Sequence, residues 1–355
     1  MVPRAPWPEP DWLSGDGPES ITVLSTRIRL ARNLAEHPFT HRAEEPERGE
    51  ILEEVREAAR ASRSLSTPRI LRLDRTSTLD RQYLVERHLV SPDLANARGP
   101  RAVAVGKGET LSVMINEEDH LRIQGLLSGF QLRDAWNLVD KLDEELGGNL
   151  DLAFSPKWGY LTACPTNTGT GLRASVLIHL PGLVLTKQIG KVLRGISQVG
   201  LAVRGMFGEG TEVMGNFFQI SNQTTLGLSE NEVIESLGRV TRQVIDHEQS
   251  ASEVLLKSAP HQIEDKVFRA YGILRHGRVI SSQEVVSMTS ALRFGFGLGF
   301  LRDRLDTHRL NRLMIETLPA HLQRANGTRL DQAERDYRRA AFVRSLLGEE
   351  PDAEA

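Results

Sequence analysis

The sequence predicts an α+β fold: a mainly antiparallel sheet flanked by helices, followed by an all-helical region. Between residues 102 and 221, short apolar runs typical of strands dominate. They do not alternate evenly with helices, as a doubly wound sheet would require. After Ser229 the pattern changes to amphipathic helices. A chain of 355 residues is long enough to form two domains of this kind.

The first third of the chain mixes irregular, strand and helix signals. Residues 1–20 contain five prolines and are predicted to be irregular. A strand is predicted within Ile21–Ala31, and it places Arg27 and Arg29 on one face because strands repeat every two residues. Helices are predicted at Glu47–Ser62, from its apolar stripe, and at Leu79–Leu89, which carries His88.

The remaining elements follow from period and capping signals. Strands are predicted at Ala102–Val105, Leu111–Ile115, Leu150–Phe154, Gly159–Ala163, Arg173–His179, Val199–Arg204 and Phe217–Ser221. Helices are predicted at Leu121–Leu146, Leu183–Ile196, Glu230–Gln249, Ala251–Ser258, Gln262–Gly272, Ser281–Phe296, Asp306–Thr317 and Leu330–Leu347. The predicted domains are 21–255 and 256–348, and the acidic tail 349–355 is predicted to be disordered.

Composition excludes several classes of protein. The net charge of −3 gives no global attraction to nucleic acid or membrane. A single cysteine, Cys164, excludes an intramolecular disulfide and a multi-cysteine zinc site. There is no signal-peptide pattern and no run of 18 apolar residues. We therefore expect a cytoplasmic protein with no membrane span.

A dense group of charged residues, Asn116–Arg122, directly follows the predicted strand Leu111–Ile115. It combines three carboxylates with His120 and Arg122. Charges of both signs at the end of a core strand indicate a site for charged ligands. Such a site could bring a cationic group and a phosphate together.

Two glycine-containing loops are further candidates. The loop Cys164–Arg173 is rich in small and hydroxyl residues, so its backbone N–H groups can approach a ligand closely, although it is not a P-loop. The turn Arg204–Gly210 places three glycines around a charged pair. Arginines from separate segments could together clamp a triphosphate. The five candidates are Arg27, Arg29, Arg122, Arg173 and Arg204.

In order, these segments resemble the motifs of the ATP:guanidino phosphotransferase (phosphagen kinase) catalytic domain. The matching segments are Ser25–Arg29, Asn116–Arg122, Cys164–Arg173, Arg204–Glu209, Gln219–Gln223 and Leu226–Glu230. The resemblance covers about residues 21–250. It implies transfer of the γ-phosphoryl group of ATP, with Mg²⁺, to a guanidinium group. It assigns no protein ligand to the metal.

The resemblance also assigns individual residues. Glu118 matches the catalytic glutamate and is the candidate base, while Glu209 and Cys164 are candidates for orienting the guanidinium. ATP-binding positions implied by the resemblance are Ser25, Thr26, Arg27, Ile28, Arg29, His88, Arg122, Arg173, Ala174, Ser175, Val176, Leu177, Arg204, Gly205, Met206, Phe207, Gly208 and Glu209.

Within that family, two features of the chain resemble the bacterial protein arginine kinases. The chain lacks the N-terminal helical domain of metabolic phosphagen kinases and has additional helices after residue 260. Their RDxxRA phosphoarginine-binding motif matches Arg335, Asp336, Tyr337, Arg338, Arg339 and Ala340. The resemblance implies a homodimer, arginine-bearing protein substrates, the activator McsA, the repressor CtsR and the ClpC–ClpP protease as partners.

Two alternatives stay open at this point. The chain could phosphorylate free arginine or another small guanidine. It could instead be a non-catalytic adaptor that binds phosphoarginine proteins. The complete set of Glu118, Glu209, Cys164 and the arginines favours an enzyme.

Overall fold

The computed structural model describes residues 7–205 and 214–348. Its centre is an eight-stranded sheet with the strand order β2-β3-β4-β5-β1-β8-β10-β9, and every registered pair of described strands is antiparallel. The strands are β1 Val23–Arg32, β2 Arg69–Arg72, β3 Ala102–Val105, β4 Leu111–Ile115, β5 Leu121–Ser128, β8 Leu172–His179, β9 Leu201–Gly205 and β10 Phe217–Asn222. A separate hairpin consists of β6 Phe154–Ser155 and β7 Gly159–Tyr160. The predicted fold class is confirmed.

Helices flank this sheet and form most of the chain after residue 229. They are α1 Glu45–Ala61, α2 Thr78–Glu86, α3 Pro92–Asn96, α4 Leu132–Gly147, α5 Pro181–Leu185, α6 Ile189–Gln198, α7 Glu230–Ser258, α8 Pro260–His276, α9 Ser282–Gly297, α10 Thr307–Ile315, α11 Pro319–Asn326 and α12 Gln332–Leu346. Single-turn 3₁₀ helices lie at Asp11–Leu13, Leu73–Arg75 and Lys107–Glu109. Within the described ranges, no helix is long and apolar enough to cross a bilayer.

Strand periodicity divides the sheet into two unlike faces. On one face Ile28, Ile123, Val176 and Ile220 pack with α1, α4 and α7 in the main hydrophobic core. The opposite face, here called the polar face, carries the alternate residues of the same strands, beginning with Arg27 and Arg29 of β1. A second core lies among the C-terminal helices, between Ile263 and Leu347.

Two predicted elements were wrong for identifiable physical reasons. The predicted helix Leu121–Leu146 is a strand, β5, followed by α4. The alternating apolar residues of Leu121–Ser128 pair with β1 and β4, and Gly129 turns the chain at φ +67°. The predicted helix Leu79–Leu89 ends at Glu86, so His88 lies outside it in a left-handed conformation with φ +61°.

Other boundaries also differ from prediction. Leu150–Phe154 and Gly159–Ala163 contribute only the two-residue strands β6 and β7. The helices predicted at 230–249 and 251–258 are one continuous helix, α7. Leu183–Ile196 is divided between α5 and α6, with Lys187 at φ +59° between them. The sequence analysis missed β2, α3 and α11, which are all short. The domain boundaries stay predictions.

Candidate active site

Strand register brings the predicted arginines onto the polar face. Arg29 lies opposite Arg173 of β8, and Arg122 of β5 lies opposite Ala31, two residues further along β1. Arg27 lies opposite Ser175 and donates from Nη2 to Gln219 Oε1 at 3.2 Å. Arg204 of β9 lies opposite Gln219. All five arginines therefore line one face, although they come from four strands.

These guanidinium groups lie close enough to lower one another's pKa values. Burial, reinforced by Arg122 and Arg173, lowers the pKa of Arg27 to about 10. Burial and the charges of Arg27, Arg122 and Arg173 hold the pKa of Arg29 well below its usual value. Arg29 Nε is buried without a hydrogen-bond partner among the residues that the structure describes. An oxyanion on this face would relieve both the repulsion and the unsatisfied donor.

Glu117 holds Arg122 in place. Arg122 Nη1 contacts the two Glu117 carboxylate oxygens at 2.5 and 2.6 Å, and the Ser91 hydroxyl donates to Oε1 at 2.6 Å. Burial opposes the charge of Glu117, but Arg122 and Ser91 outweigh burial and hold its pKa below the usual value. Glu117 is therefore a fixed anion that orients Arg122 on the polar face, a role that the sequence analysis did not assign.

Glu118, the next residue, extends toward solvent and lies beside Cys164. Its carboxylate interacts with the Cys164 thiol and accepts weakly from Asn167 Nδ2 at 3.4 Å. Partial burial, together with the charges of Asp119 and Glu117, raises the pKa of Glu118. A carboxylate with a raised pKa is a better proton acceptor than an ordinary surface glutamate.

Asp119 and His120 fix the turn that carries Glu117 and Glu118. Asp119 Oδ1 accepts from Asn33 Nδ2 and from the Ala163 backbone N–H, both at 2.7 Å. His120 Nδ1 accepts from the Leu34 N–H at 3.0 Å, and Nε2 donates to the Pro38 carbonyl at 3.0 Å. Burial lowers the pKa of His120 to about 4, so this ring is neutral at physiological pH. Both side chains are buried and support the turn.

The loop that carries Cys164 is held rigidly. Thr225 Oγ1 donates to the carbonyls of Thr166 and Thr168, both at 2.8 Å. Gly169 has φ +114°, and a Cβ there would lie 2.3 Å from the Thr225 carbonyl. Only glycine fits such a close backbone approach. The Cys164 Sγ lies 3.0 Å from Thr166 Oγ1.

His88 lies at the apolar end of the polar face. Its ring centroid is 5.3 Å from that of Trp12, and its carbonyl accepts from Gln124 Nε2 at 2.8 Å. Burial, then the charges of Arg27 and His321, lower its pKa to about 3. A neutral ring close to Trp12, which itself packs with Leu126 and Leu177, suits a flat uncharged group such as a nucleobase.

The other predicted ATP-binding positions differ in where their side chains lie. Ser175 lies on the polar face, whereas Ile28, Ala174 and Val176 point into the main core, so only their backbone could contact a ligand. Thr26 donates its hydroxyl to the Gly129 carbonyl at 2.7 Å and acts as a brace. Ser25 and Leu177 are paired near the apolar end, and Gly205 ends β9. Met206, Phe207, Gly208 and Glu209 lie outside the described residues.

The RDxxRA match lies on α12, where Arg339 is almost fully buried. Arg339 Nε donates to the Thr317 carbonyl at 2.9 Å, Nη1 donates to the Ile280 carbonyl at 3.0 Å, and Nη1 also pairs with Asp336. Arg335 is half-buried and caps the Leu330 carbonyl at 2.8 Å. Tyr337 is exposed, Arg338 pairs with Glu334, and Ala340 is buried. Arg335 and Tyr337 are thus more accessible than Arg339.

The site therefore combines a sheet face of arginines, which suits a polyphosphate, with a glutamate and a cysteine, which suit a cationic group. The family model described as ATP:guanido phosphotransferase, C-terminal catalytic domain, matches residues 50–251. The model described as protein-arginine kinase McsB C-terminal domain matches residues 260–355.

Similar proteins agree with these matches. The chain is 48% identical over 350 residues to a protein-arginine kinase of Symbiobacterium thermophilum, covering 98% of both chains. It is 47% identical to one of Moorella thermoacetica, covering 95% of this chain and 97% of that one. A crystal structure of lombricine kinase is similar with a TM-score of 0.59 at 25% identity, covering 68% of this chain and 71% of that one. The chain belongs to the protein-arginine kinases of the ATP:guanido phosphotransferase family.

A further solved structure supports the fold alone. The duplicated taurocyamine kinase from Schistosoma mansoni with bound transition state analog components has a TM-score of 0.60 at 24% identity. The match covers 78% of this chain and 41% of that one.

Proposed function

We propose that this protein transfers the γ-phosphoryl group of ATP to the guanidinium of arginine side chains in proteins. The observation that carries the proposal is the polar face itself, where mutually repelling arginines adjoin the Glu118–Cys164 pair. The arginines fit a polyphosphate, and the acidic pair fits a cationic guanidinium. The names of the similar protein-arginine kinases support the choice of acceptor.

The polar face would bind ATP with its phosphates against Arg27, Arg29, Arg122, Arg173 and Arg204. Five positive charges would neutralise the phosphates and the loose transition state, in which positioning and charge provide most of the catalysis. Mg²⁺ would be held mainly by phosphate oxygens and water, and it would supply further charge neutralisation. His88 at the apolar end would lie beside the base.

The acceptor needs a base because a guanidinium has a pKa above about 12 and is a poor nucleophile. In the proposed step, an acceptor nitrogen forms a bond to the γ-phosphorus while the bond from phosphorus to the bridging oxygen breaks. ADP leaves, and Glu118 accepts the guanidinium proton. Cys164, held by Glu118 and Thr166, would orient the planar group without forming a covalent intermediate. Glu209 would grip its other side.

Arg335 and Asp336 on α12 would bind phosphoarginine, with Arg339 as a buried brace. Coupling this product to activity requires that it favour one conformation or oligomer over another. By resemblance to the family, the proposal extends to a homodimer, activation by McsA, control of CtsR and delivery of marked proteins to ClpC–ClpP.

The proposal is tested by supplying labelled MgATP to an arginine-rich protein and to free arginine in parallel. We expect label on the protein. Label on free arginine alone would identify a small-guanidine kinase. If phosphoarginine protein binds but neither acceptor is labelled, even with the activator present, the adaptor alternative would replace the proposal.

A further inference from the structure

Glu86, the last residue of α2, clamps the start of α11 from a distant part of the chain. Its buried carboxylate accepts from the Ala320 N–H at 2.8 Å and from the His321 N–H at 3.0 Å. His321 Nδ1 lies 2.8 Å from Glu86 Oε2. One side chain thus binds two backbone donors and one ring nitrogen of the same helix.

Glu86 caps the N-terminus of α11. Its N-cap position is Leu318, a residue with no side-chain acceptor for the free N–H groups of the first turn. A carboxylate at a helix N-terminus also interacts favourably with the helix dipole. Glu86 therefore supplies from α2 the cap that α11 lacks in its own sequence.

The other side of Glu86 leads directly to the polar face. His88 lies two residues later, in the left-handed conformation, and its carbonyl is held by Gln124. Gln124 lies opposite Arg29 in the register of β1 and β5. Arg87, which lies between Glu86 and His88 in the chain, is anchored by a salt bridge to Glu109 at 2.6 Å. Because this turn is short and fixed at each residue, a shift of Glu86 would move His88.

α11 also contacts this region through its own side chains. The His321 ring centroid lies 4.5 Å from that of Tyr83, and His321 is near enough to His88 for its charge to act on that ring. His321 Nε2 is buried without a partner among the described residues. On the far side, Arg339 of α12 holds the Thr317 carbonyl, two residues before α11 begins.

We propose that Glu86 is a positioning residue for the nucleotide site, acting through His88. The inference rests on the proposed function, because it takes the polar face as the site for ATP. It identifies a helix of the C-terminal region as the support for the apolar end of that site.

The test compares Glu86→Gln with Asp80→Asn in the full-length protein. Asp80 lies near the start of α2 and pairs with Arg324 of α11 at 2.7 Å, so it joins the same two helices at the end remote from His88. Binding of a non-hydrolysable MgATP analogue is measured by calorimetry, with the thermal unfolding midpoint of each variant alongside.

We expect Glu86→Gln to weaken analogue binding by about fivefold or more, while Asp80→Asn changes it less than about twofold. KM for the arginine substrate should stay unchanged in both. His321→Gln keeps the backbone clamp and should weaken binding by about threefold, which preserves the test if Glu86→Gln does not fold. Equal effects of the Glu86 and Asp80 variants, or none, would overturn the positioning role.

If the wild-type protein itself binds no analogue, the proposed function fails, and that result is distinct from a loss of binding confined to the Glu86 variant.

Discussion

Arg29 and Arg173 lie directly opposite each other on neighbouring antiparallel strands, on the same face of the sheet. Like charges in this arrangement destabilise a sheet, and burial adds the cost of desolvation. Burial, followed by the charges of Arg27, Arg122 and Arg173, holds the pKa of Arg29 well below its usual value. The fold therefore keeps a repulsive pair that a bound polyphosphate would neutralise.

Arg29→Met should make the empty protein more stable and the nucleotide complex weaker. Removing one guanidinium relieves repulsion, but it deletes a charge-assisted phosphate contact of about 2 kcal/mol, or ~30-fold in Kd. Thermal unfolding with and without MgATP measures both effects. Arg269→Met is the control, because Arg269 pairs with Asp265 on an exposed face of α8. Lower stability together with unchanged nucleotide binding would contradict the account.

Glu118→Gln and Glu117→Gln should affect different kinetic quantities, although the residues are adjacent. The first should lower kcat and the second should lower ATP affinity. Loss of the proposed base should reduce kcat by about 10² to 10⁴ with ATP affinity preserved. Loss of Glu117 frees Arg122 and should mainly weaken ATP binding. Steady-state kinetics and nucleotide titration separate the two. Equal effects of both substitutions on kcat would argue against distinct roles.

Cys164→Ser should reduce the rate without abolishing it. Serine keeps a donor toward Glu118, and the loop stays fixed by Thr225, so we expect a loss of about tenfold. The rate is measured at saturating MgATP, and intact-protein mass spectrometry monitors the enzyme during turnover. A complete loss of activity, or a phosphate trapped on Cys164 in the wild-type protein, would show covalent catalysis instead.

Stability should fall on acidification because three histidines, two of them buried and one half-buried, resist protonation. Burial depresses the pKa of His88 to about 3, that of His120 to about 4, and that of His179 well below its usual value. A histidine with a depressed pKa contributes stability that is fully present above its unfolded-state pKa of about 6.5. As the pH falls below that pKa, the free energy of unfolding decreases by ~1.4 kcal/mol per pH unit for each such histidine.

Chemical denaturation at pH 7, 6 and 5 measures this slope. His120→Asn keeps an acceptor for the Leu34 N–H. It should reduce the slope of the unfolding free energy against pH by the equivalent of up to one proton taken up on unfolding. His261, which is fully exposed at the start of α8, supplies the control His261→Asn. A slope that is the same in His120→Asn as in the wild type would refute the assignment.

Arg335→Ala and Arg339→Ala should separate binding from folding at the α12 motif. Arg339 satisfies two carbonyls and pairs with Asp336, so its loss should cost about 3–5 kcal/mol of stability. Arg335 is half-buried, so its loss should leave the fold intact and remove phosphoarginine binding. Circular dichroism and binding of a phosphoarginine peptide distinguish the two. Retained phosphoarginine binding in a folded Arg335→Ala variant would exclude Arg335 from the site.

The sequence predicted the polar face because strand alternation alone places Arg27 and Arg29 together. It could not predict the register that sets Arg29 against Arg173, since register depends on pairing between segments far apart in the chain. The error at Leu121–Leu146 has the same origin: an apolar run followed by a helical pattern is ambiguous without its strand partners.

The support of the site was also hidden from the sequence. Asp119 and His120 belong to a charged run that suggested ligand binding, yet both are buried and hold the turn through Asn33, Ala163 and Leu34. Buried hydrogen-bond partners 86 residues apart leave no local pattern. The Glu86 clamp on α11 was missed for the same reason.

The most direct test of the central claim is mass spectrometry of an arginine-bearing protein after incubation with MgATP, under mild conditions that preserve acid-labile phosphate. The account predicts phosphate on arginine nitrogen with the wild-type protein and its loss with Glu118→Gln, although this variant still binds ATP. Phosphate on serine or threonine, or equal arginine phosphorylation by Glu118→Gln, would contradict it.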